Sequence, residues 1–203
     1  MKHIQSLQDE RAIWLFMSVI MGGLVVLAHS FFQNYLYMPP CEQCVYIRFS
    51  MSVMAIGGLI AAINPKKVIL KLAGYIFGFY GAITGIMYCL RLNAVHIAVH
   101  AGNPFGVKGC SSFPTFPFNL PLDSWLPGLF KPTGDCGFDN PLVPDGVSLS
   151  SIQAWFVDLY ANGWYLLPSL EFMNMAIACL IVYAIAIILL GVMFFSWIIR
   201  LKK

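Results

Sequence analysis

The stretch PPCEQCVYIRFSMSVMAIGGLIAAINPKK, residues 39–67, places two cysteines and an arginine at the head of an apolar run and two lysines at its foot. From Phe49 to Ile63 every residue is apolar or small. With Val45–Arg48 added, the run approaches the roughly 20 residues that carry a helix across the hydrocarbon core of a bilayer. The fold therefore turns on a membrane span that begins beside a dithiol.

Working outward, three more stretches reach spanning length, and together the four cover about residues 12–32, 45–63, 68–90 and 173–199. Composition agrees. Of 203 residues, 59% are hydrophobic and 10% charged, against roughly 25% charged in ordinary soluble domains. The mean hydropathy is +0.76. The first run is longer than the apolar core of a signal peptide and reads as an uncleaved anchor. The expected architecture is an all-α membrane protein, a four-transmembrane-helix bundle forming a single integral membrane domain over residues 1–203.

Orientation follows the lysine and arginine bias. Lys2 and Arg11 precede the first span, Lys66, Lys67 and Lys71 fall at the 63–68 turn, and Arg200, Lys202 and Lys203 close the chain. These positions belong on the cytoplasmic side, so both termini are expected there. The opposite side then holds a short loop, about 33–44, and a long one, about 91–172. The long loop sets Arg91, Lys108 and Lys131 against five aspartates and Glu171, a balance that suits export. A net charge of +3 without a basic stripe excludes a nucleic-acid partner.

The long loop holds most of the prolines, between Asn103 and Gly146, and little regular structure is expected there. Two pieces still read as ordered. LDSWLPGLF, residues 122–130, suggests a short stretch on the membrane surface. In SLSSIQAWFVDLY, Ser150 and Gln153 have capping-box spacing, and Ile152, Trp155, Phe156, Leu159 and Tyr160 repeat as one helical face. That face suits lipid, a partner site or plain packing.

The six cysteines divide. Cys89 and Cys179 lie in apolar runs and read as small fillers, while Cys41, Cys44, Cys110 and Cys136 lie in polar or turn-rich surroundings. Two cysteines three apart on a first helical turn share a face at disulfide-compatible separation. The helix N-terminus stabilises a thiolate there. Arg48 lies four residues beyond Cys44. An arginine one turn inside a membrane is costly unless it reaches the interface or meets a polar group. A lipid-soluble quinone supplies such a group, since its carbonyl oxygen gains negative charge on reduction. Cys110 and Cys136 enclose 25 residues of proline-rich loop. A disulfide closing that loop is worth about 3 to 4 kcal/mol of chain entropy, and one exposed in a mobile loop is also exchangeable.

The remaining motifs are weaker. His96 and His100 share a helical face after the third span; a zinc site with Cys41 and Cys44 has the wrong spacing, so no metal is expected. His96 fits better as a group near the quinone that balances protons. Gly78, Gly81 and Gly85 suggest close helix approach. No Ser/His/Asp set or glycine-rich phosphate loop is present. Two other functions stay in view: a four-span scaffold with structural disulfides, and a carrier moving electrons outward from a cytoplasmic thiol.

The Cys-x-x-Cys followed by Arg48, the Cys110 to Cys136 spacing, and LPLDSWLPGLFKPTGDC leading to Cys136 resemble the DsbB family of bacterial inner-membrane disulfide-generating proteins. The resemblance covers most of the chain. It implies reoxidation of a periplasmic thioredoxin-like, DsbA-type partner, with electrons passed to ubiquinone or menaquinone. By position, it implies that Cys110 forms the mixed disulfide with the partner and Cys136 exchanges with Cys41. Cys44 is then the thiolate adjoining the quinone, and Arg48 holds the ring. Glu42 and Gln43 depart from the apolar residues often found between the paired cysteines, and about 25 extra residues, 138–163, follow Cys136. That insertion is similar to the DsbI branch, which serves a dedicated DsbL partner and through it an arylsulfate sulfotransferase.

Overall fold

A computed structural model describes residues 8–103 and 110–201. Lys2, Lys108, Lys202 and Lys203, which enter the charge reading, lie outside those residues. Among the described residues, four helices are long and apolar enough to cross a membrane. Helix α1 spans Arg11–Leu27 and continues as a π-helical segment, Ala28–Tyr35. Helix α2 spans Glu42–Ile63 and α3 spans Val68–His100. Short helices α4, Leu122–Trp125, and α5, Pro127–Phe130, follow in the long loop, and α6 spans Ser151–Leu159. Strands β1, Tyr165–Leu167, and β2, Phe172–Asn174, pair antiparallel before the last long helix, α7, Met175–Leu201.

The third helix runs ten residues beyond the predicted span, and His96 and His100 sit on it, as the helical-face reading of that stretch expects. Nothing between Leu90 and His100 breaks it: the segment has neither proline nor glycine, and Gly102, at φ 71°, ends the run soon afterwards. The last helix is capped by a residue that the hydropathy pattern does not single out. Asn174 Oδ1 accepts from Ile177 N–H at 2.9 Å, while its amide donates to Asn93 Oδ1 at 3.1 Å.

The chain divides into two compact units. One comprises Met1–Val25, Phe49–Ile86 and Ile181–Lys203. Its helices approach closely where glycine removes the obstacle, as the 78/81/85 spacing predicts. A Cβ on Gly81 would lie 2.6 Å from Ser50 O, and one on Gly85 2.3 Å from the Tyr183 ring. Ser18 Oγ donates to Ala55 O at 2.8 Å, a polar bond between helices in an otherwise apolar setting. Outward positions such as Val19, Ile69 and Phe195 are exposed and apolar, as lipid requires.

At one end of this unit Asp9 pairs with both Lys71 and Arg200. Lys71 is buried against the Trp197 ring. Burial works against the Asp9 carboxylate, but the hydrogen bonds and charges of Lys71 and Arg200 outweigh it and hold the carboxyl below its ordinary range. Tyr75 and Trp14 close the cluster by donating to the side chain and backbone of Gln8.

The other unit comprises Val26–Arg48 and Met87–Leu180 and holds all four loop and span-edge cysteines. Its insertion is anchored. Ser150 Oγ accepts from Gln153 N–H at 3.2 Å, which bears out the predicted cap. The reciprocal half of the capping box does not form, because Gln153 Nε2 donates to Tyr35 O at 2.7 Å instead. Phe156 packs edge-on to Phe31, and Tyr160 to Phe32, so one side of α6 is used in packing while Ile152 and Trp155 stay exposed. The LDSWLPGLF stretch forms α4 and α5, with Trp125 and Leu126 exposed and Phe130 buried against Phe116.

Candidate active site

Pro39 and Pro40 lead the chain to Cys41, which caps α2. Its sulfur accepts from Cys44 N–H at 3.2 Å, and its carbonyl takes the first helical bond, from Val45 N–H at 3.0 Å. The cap places the two cysteines 5.0 Å apart at Cα, joined as a disulfide. Cys110 and Cys136 form the second disulfide, at a Cα separation of 5.8 Å. Cys136 is buried and Cys110 is partly accessible.

Both ends of the loop disulfide are fastened beside Cys41. Near Cys136, the N–H groups of Thr133 and Gly134 both donate to Pro40 O, at 2.9 and 3.1 Å. The approach needs glycine: a Cβ on Gly134 would lie 2.6 Å from Pro39 O. Near Cys110, Ser111 N–H donates to Glu42 Oε2 at 2.8 Å. Thr115 N–H donates to Tyr46 Oη at 2.8 Å, and that hydroxyl donates to Glu42 Oε1 at 3.2 Å. A carboxylate in the first turn of α2 also suits the helix dipole.

Arg48 is buried, one turn deeper than Cys44. Its Nη1 donates to Gln33 Oε1 at 2.5 Å and its Nη2 to Ala28 O at 3.2 Å, both partners lying on the π-helical segment. Such segments recur at functional sites because the looser turn reorients backbone and side chains. Gln33 Nε2 in turn donates to Gly128 O at 3.0 Å, and His29 Nδ1 lies 3.4 Å from Gln33 Oε1. Arg48 is thus turned inward onto polar atoms instead of being left to snorkel. A planar five-donor guanidinium buried beside a dithiol at the head of a span is a donor set that fits a quinone oxygen.

His96 lies on the third long helix, α3. Its ring lies 4.0 Å from that of His100 and 6.0 Å from Tyr165. Asp139, whose carboxyl accepts from Trp164 N–H, is raised above the ordinary carboxyl range chiefly by burial. Among the described residues no group of three or more His, Cys, Asp or Glu is placed to hold a metal ion. Cys89 is fully buried and hydrogen-bonded to Cys179, a contact between spans that the reading of each as separate filler does not anticipate.

Sequence reasoning also leaves Gln33, Tyr46 and Gly134 unassigned. Gln33 had a signal: it is an uncharged polar residue near the end of an apolar run, where an unpaired amide is expensive. Glu42 was visible as a departure, but its bond to Ser111 crosses 69 positions and leaves no local pattern.

Among the described residues, four membrane-length helices and two disulfides, with the loop disulfide fastened to the residues around the span-edge one, define a membrane-embedded double-dithiol protein. The family model described as "Disulfide bond formation protein DsbB" matches residues 10–193, and the chain belongs to the DsbB family. The chain is 68% identical over 200 residues to a Campylobacter fetus protein whose name carries DsbI, covering 98% of this chain and 93% of that one. It is 61% identical over 201 residues to the Salmonella typhimurium "Protein-disulfide oxidoreductase DsbI", covering 97% and 89%. An Escherichia coli O1:K1 protein of the same name is 59% identical over 201 residues, covering 97% and 90%.

Proposed function

We propose that this chain is a thiol:quinone oxidoreductase of the bacterial inner membrane, its two disulfides acting in series on the periplasmic side. The reading is carried by one observation: Pro40, Glu42 and Tyr46, which surround Cys41 and Cys44, bind the segments that carry Cys136 and Cys110. Two pairs held in this way can exchange, and a merely stapled loop has no need to be fastened at a second dithiol.

In this reading a reduced thioredoxin-fold partner of DsbA or DsbL type attacks the accessible Cys110, and Cys136 leaves as a thiolate. Cys136 then attacks Cys41. The Cys136–Cys41 bond forms as Cys41–Cys44 breaks, leaving Cys44 as a thiolate stabilised by the start of α2. The partner's second thiol attacks its mixed disulfide with Cys110, closing the partner's own disulfide and releasing Cys110 as a thiolate. Cys110 then attacks Cys136, which returns the loop pair to the disulfide and leaves Cys41 and Cys44 reduced. The quinone, ubiquinone or menaquinone, is the two-electron acceptor that restores the Cys41–Cys44 disulfide. Arg48 holds its oxygen through guanidinium donors, with Gln33 and Ala28 fixing the orientation of that side chain. His96 is assigned proton exchange, with His29 a second imidazole on the Arg48 side.

The test is to supply the lipid-embedded protein with a reduced DsbA-type partner and follow loss of oxidised-quinone absorbance. Partner-dependent loss, abolished by Cys44→Ser, is expected. A dithiol inert toward quinone would instead favour the scaffold.

A further inference from the structure

The two fastenings of the loop disulfide differ in kind. On the Cys136 side the acceptor is a main-chain carbonyl, Pro40 O, and the donors are main-chain amides. On the Cys110 side the acceptors are side-chain oxygens, Glu42 Oε2 for Ser111 N–H and Tyr46 Oη for Thr115 N–H. Glu42 uses both carboxylate oxygens, since Oε1 also accepts from Tyr46. The Cys136 side is therefore held rigidly, and the Cys110 side is held by rotatable groups that can let go and take hold again.

We propose that Glu42, supported by Tyr46, is a positioning residue that draws Cys110 back to the membrane-edge pair after each encounter with the partner. The proposal deepens the two-pair reading and rests on it. For the partner to take Cys110, the segment 111–115 must move away from α2. For the cycle to close, the Cys110 thiolate must attack Cys136 of the Cys136–Cys41 bond, forming Cys110–Cys136 and releasing Cys41 as a thiolate. Glu42 raises the local concentration of Cys110 for that step by binding the neighbouring amide. It touches no reacting atom. The role accounts for a carboxylate between the paired cysteines, where two apolar residues would leave Ser111 N–H without this acceptor.

The experiment starts from full-length protein in lipid nanodiscs, reduced at all four cysteines, to which decylubiquinone is added. Samples are quenched in acid, and the state of each pair is mapped by thiol labelling and mass spectrometry. In the wild type Cys41–Cys44 closes first and passes oxidation to Cys110–Cys136. In Glu42→Leu the first closure keeps its rate while the second slows about tenfold, the loss expected for a hydrogen bond to a charged acceptor. Glu42→Gln retains an oxygen for Ser111 N–H and stays within about threefold of wild type. Hydrogen exchange gives a second readout, with Ser111 and Thr115 amides losing protection in the leucine variant and keeping it in the glutamine variant. Tyr46→Phe, which removes one oxygen, slows the second closure about threefold and serves if Glu42→Leu does not fold.

Equal second-closure rates in wild type and Glu42→Leu overturn the proposal and leave the two-pair reading intact. Equal slowing in the glutamine and leucine variants also overturns it, because charge and not the amide bond would then be responsible. If Glu42→Leu does not fold, a wild-type rate in Tyr46→Phe overturns it. Wild-type protein that never passes oxidation from Cys41–Cys44 to Cys110–Cys136 overturns the two-pair reading, and the proposal with it.

Discussion

Arg48 and Gln33 meet at 2.5 Å, and the same glutamine reaches Gly128 O with its amide nitrogen, so one side chain joins the buried guanidinium to the loop ahead of Cys136. The glutamine does for Arg48 what headgroups do for a snorkelling arginine, but from inside the protein.

Gln33→Leu removes that acceptor and leaves the guanidinium held at Nη2, by Ala28 O, without the bond that orients Nη1. The expected result is a fall of about tenfold in apparent quinone affinity, the size of one hydrogen bond to a charged group, with little change in the partner's KM. Steady-state titrations in decylubiquinone and in partner separate the two. An unchanged quinone dependence would make Gln33 a loop tether alone.

Gly134→Ala brings a methyl to 2.6 Å from Pro39 O and 3.0 Å from the Pro39 ring. Neither main chain can yield without breaking the bonds to Pro40 O, so docking of the Cys136 side is expected to weaken by about 1 to 3 kcal/mol. Hydrogen exchange at the Thr133 amide should quicken in step, and protection equal to wild type would refute the account.

Asp139 makes a pH prediction. Its folded carboxyl is raised by burial, so its proton is held more tightly folded than unfolded. The stability it contributes is full below the ordinary carboxyl value of about 4 and is lost as pH rises through the raised folded value. Asp139→Asn can still accept from Trp164 N–H and has no charge to bury. The variant should therefore be more thermostable near pH 7 and show a flatter fall with rising pH, measured by thermal unfolding in detergent.

Asp9 has the opposite sign. Lys71 and Arg200 hold its folded carboxyl below the ordinary range, so its contribution is present above that range and lost as pH falls through the lowered value. Asp9→Ala leaves buried Lys71 without either carboxylate oxygen. A loss of about 3 kcal/mol at neutral pH is expected, seen as a lower thermal midpoint that converges with wild type in acid.

The four spans were legible because a bilayer accepts few solutions: long apolar helices with lysines and arginines at their ends. The dithiol and Arg48 were legible because charge and thiol chemistry at the head of a span are rare. What stayed hidden depends on chain segments far apart meeting. Gln33 reaches Arg48 through a π-helical segment that no periodicity marks, and Glu42 reaches Ser111 across a proline-rich loop. His96 shows the converse limit, since spacing put it on a face with His100 but could not say that Tyr165, from the β-hairpin, would stand against it.

Pro40 lends a single oxygen to two amides of the turn ahead of Cys136. Because this anchorage is written in peptide atoms, amino-acid drift along the outer segment cannot erase it while Gly134 stays a glycine and the turn keeps its shape. Whole loops grafted from relatives of different specificity should accordingly seat themselves on the same carbonyl, making the outer region an interchangeable module on a fixed mount.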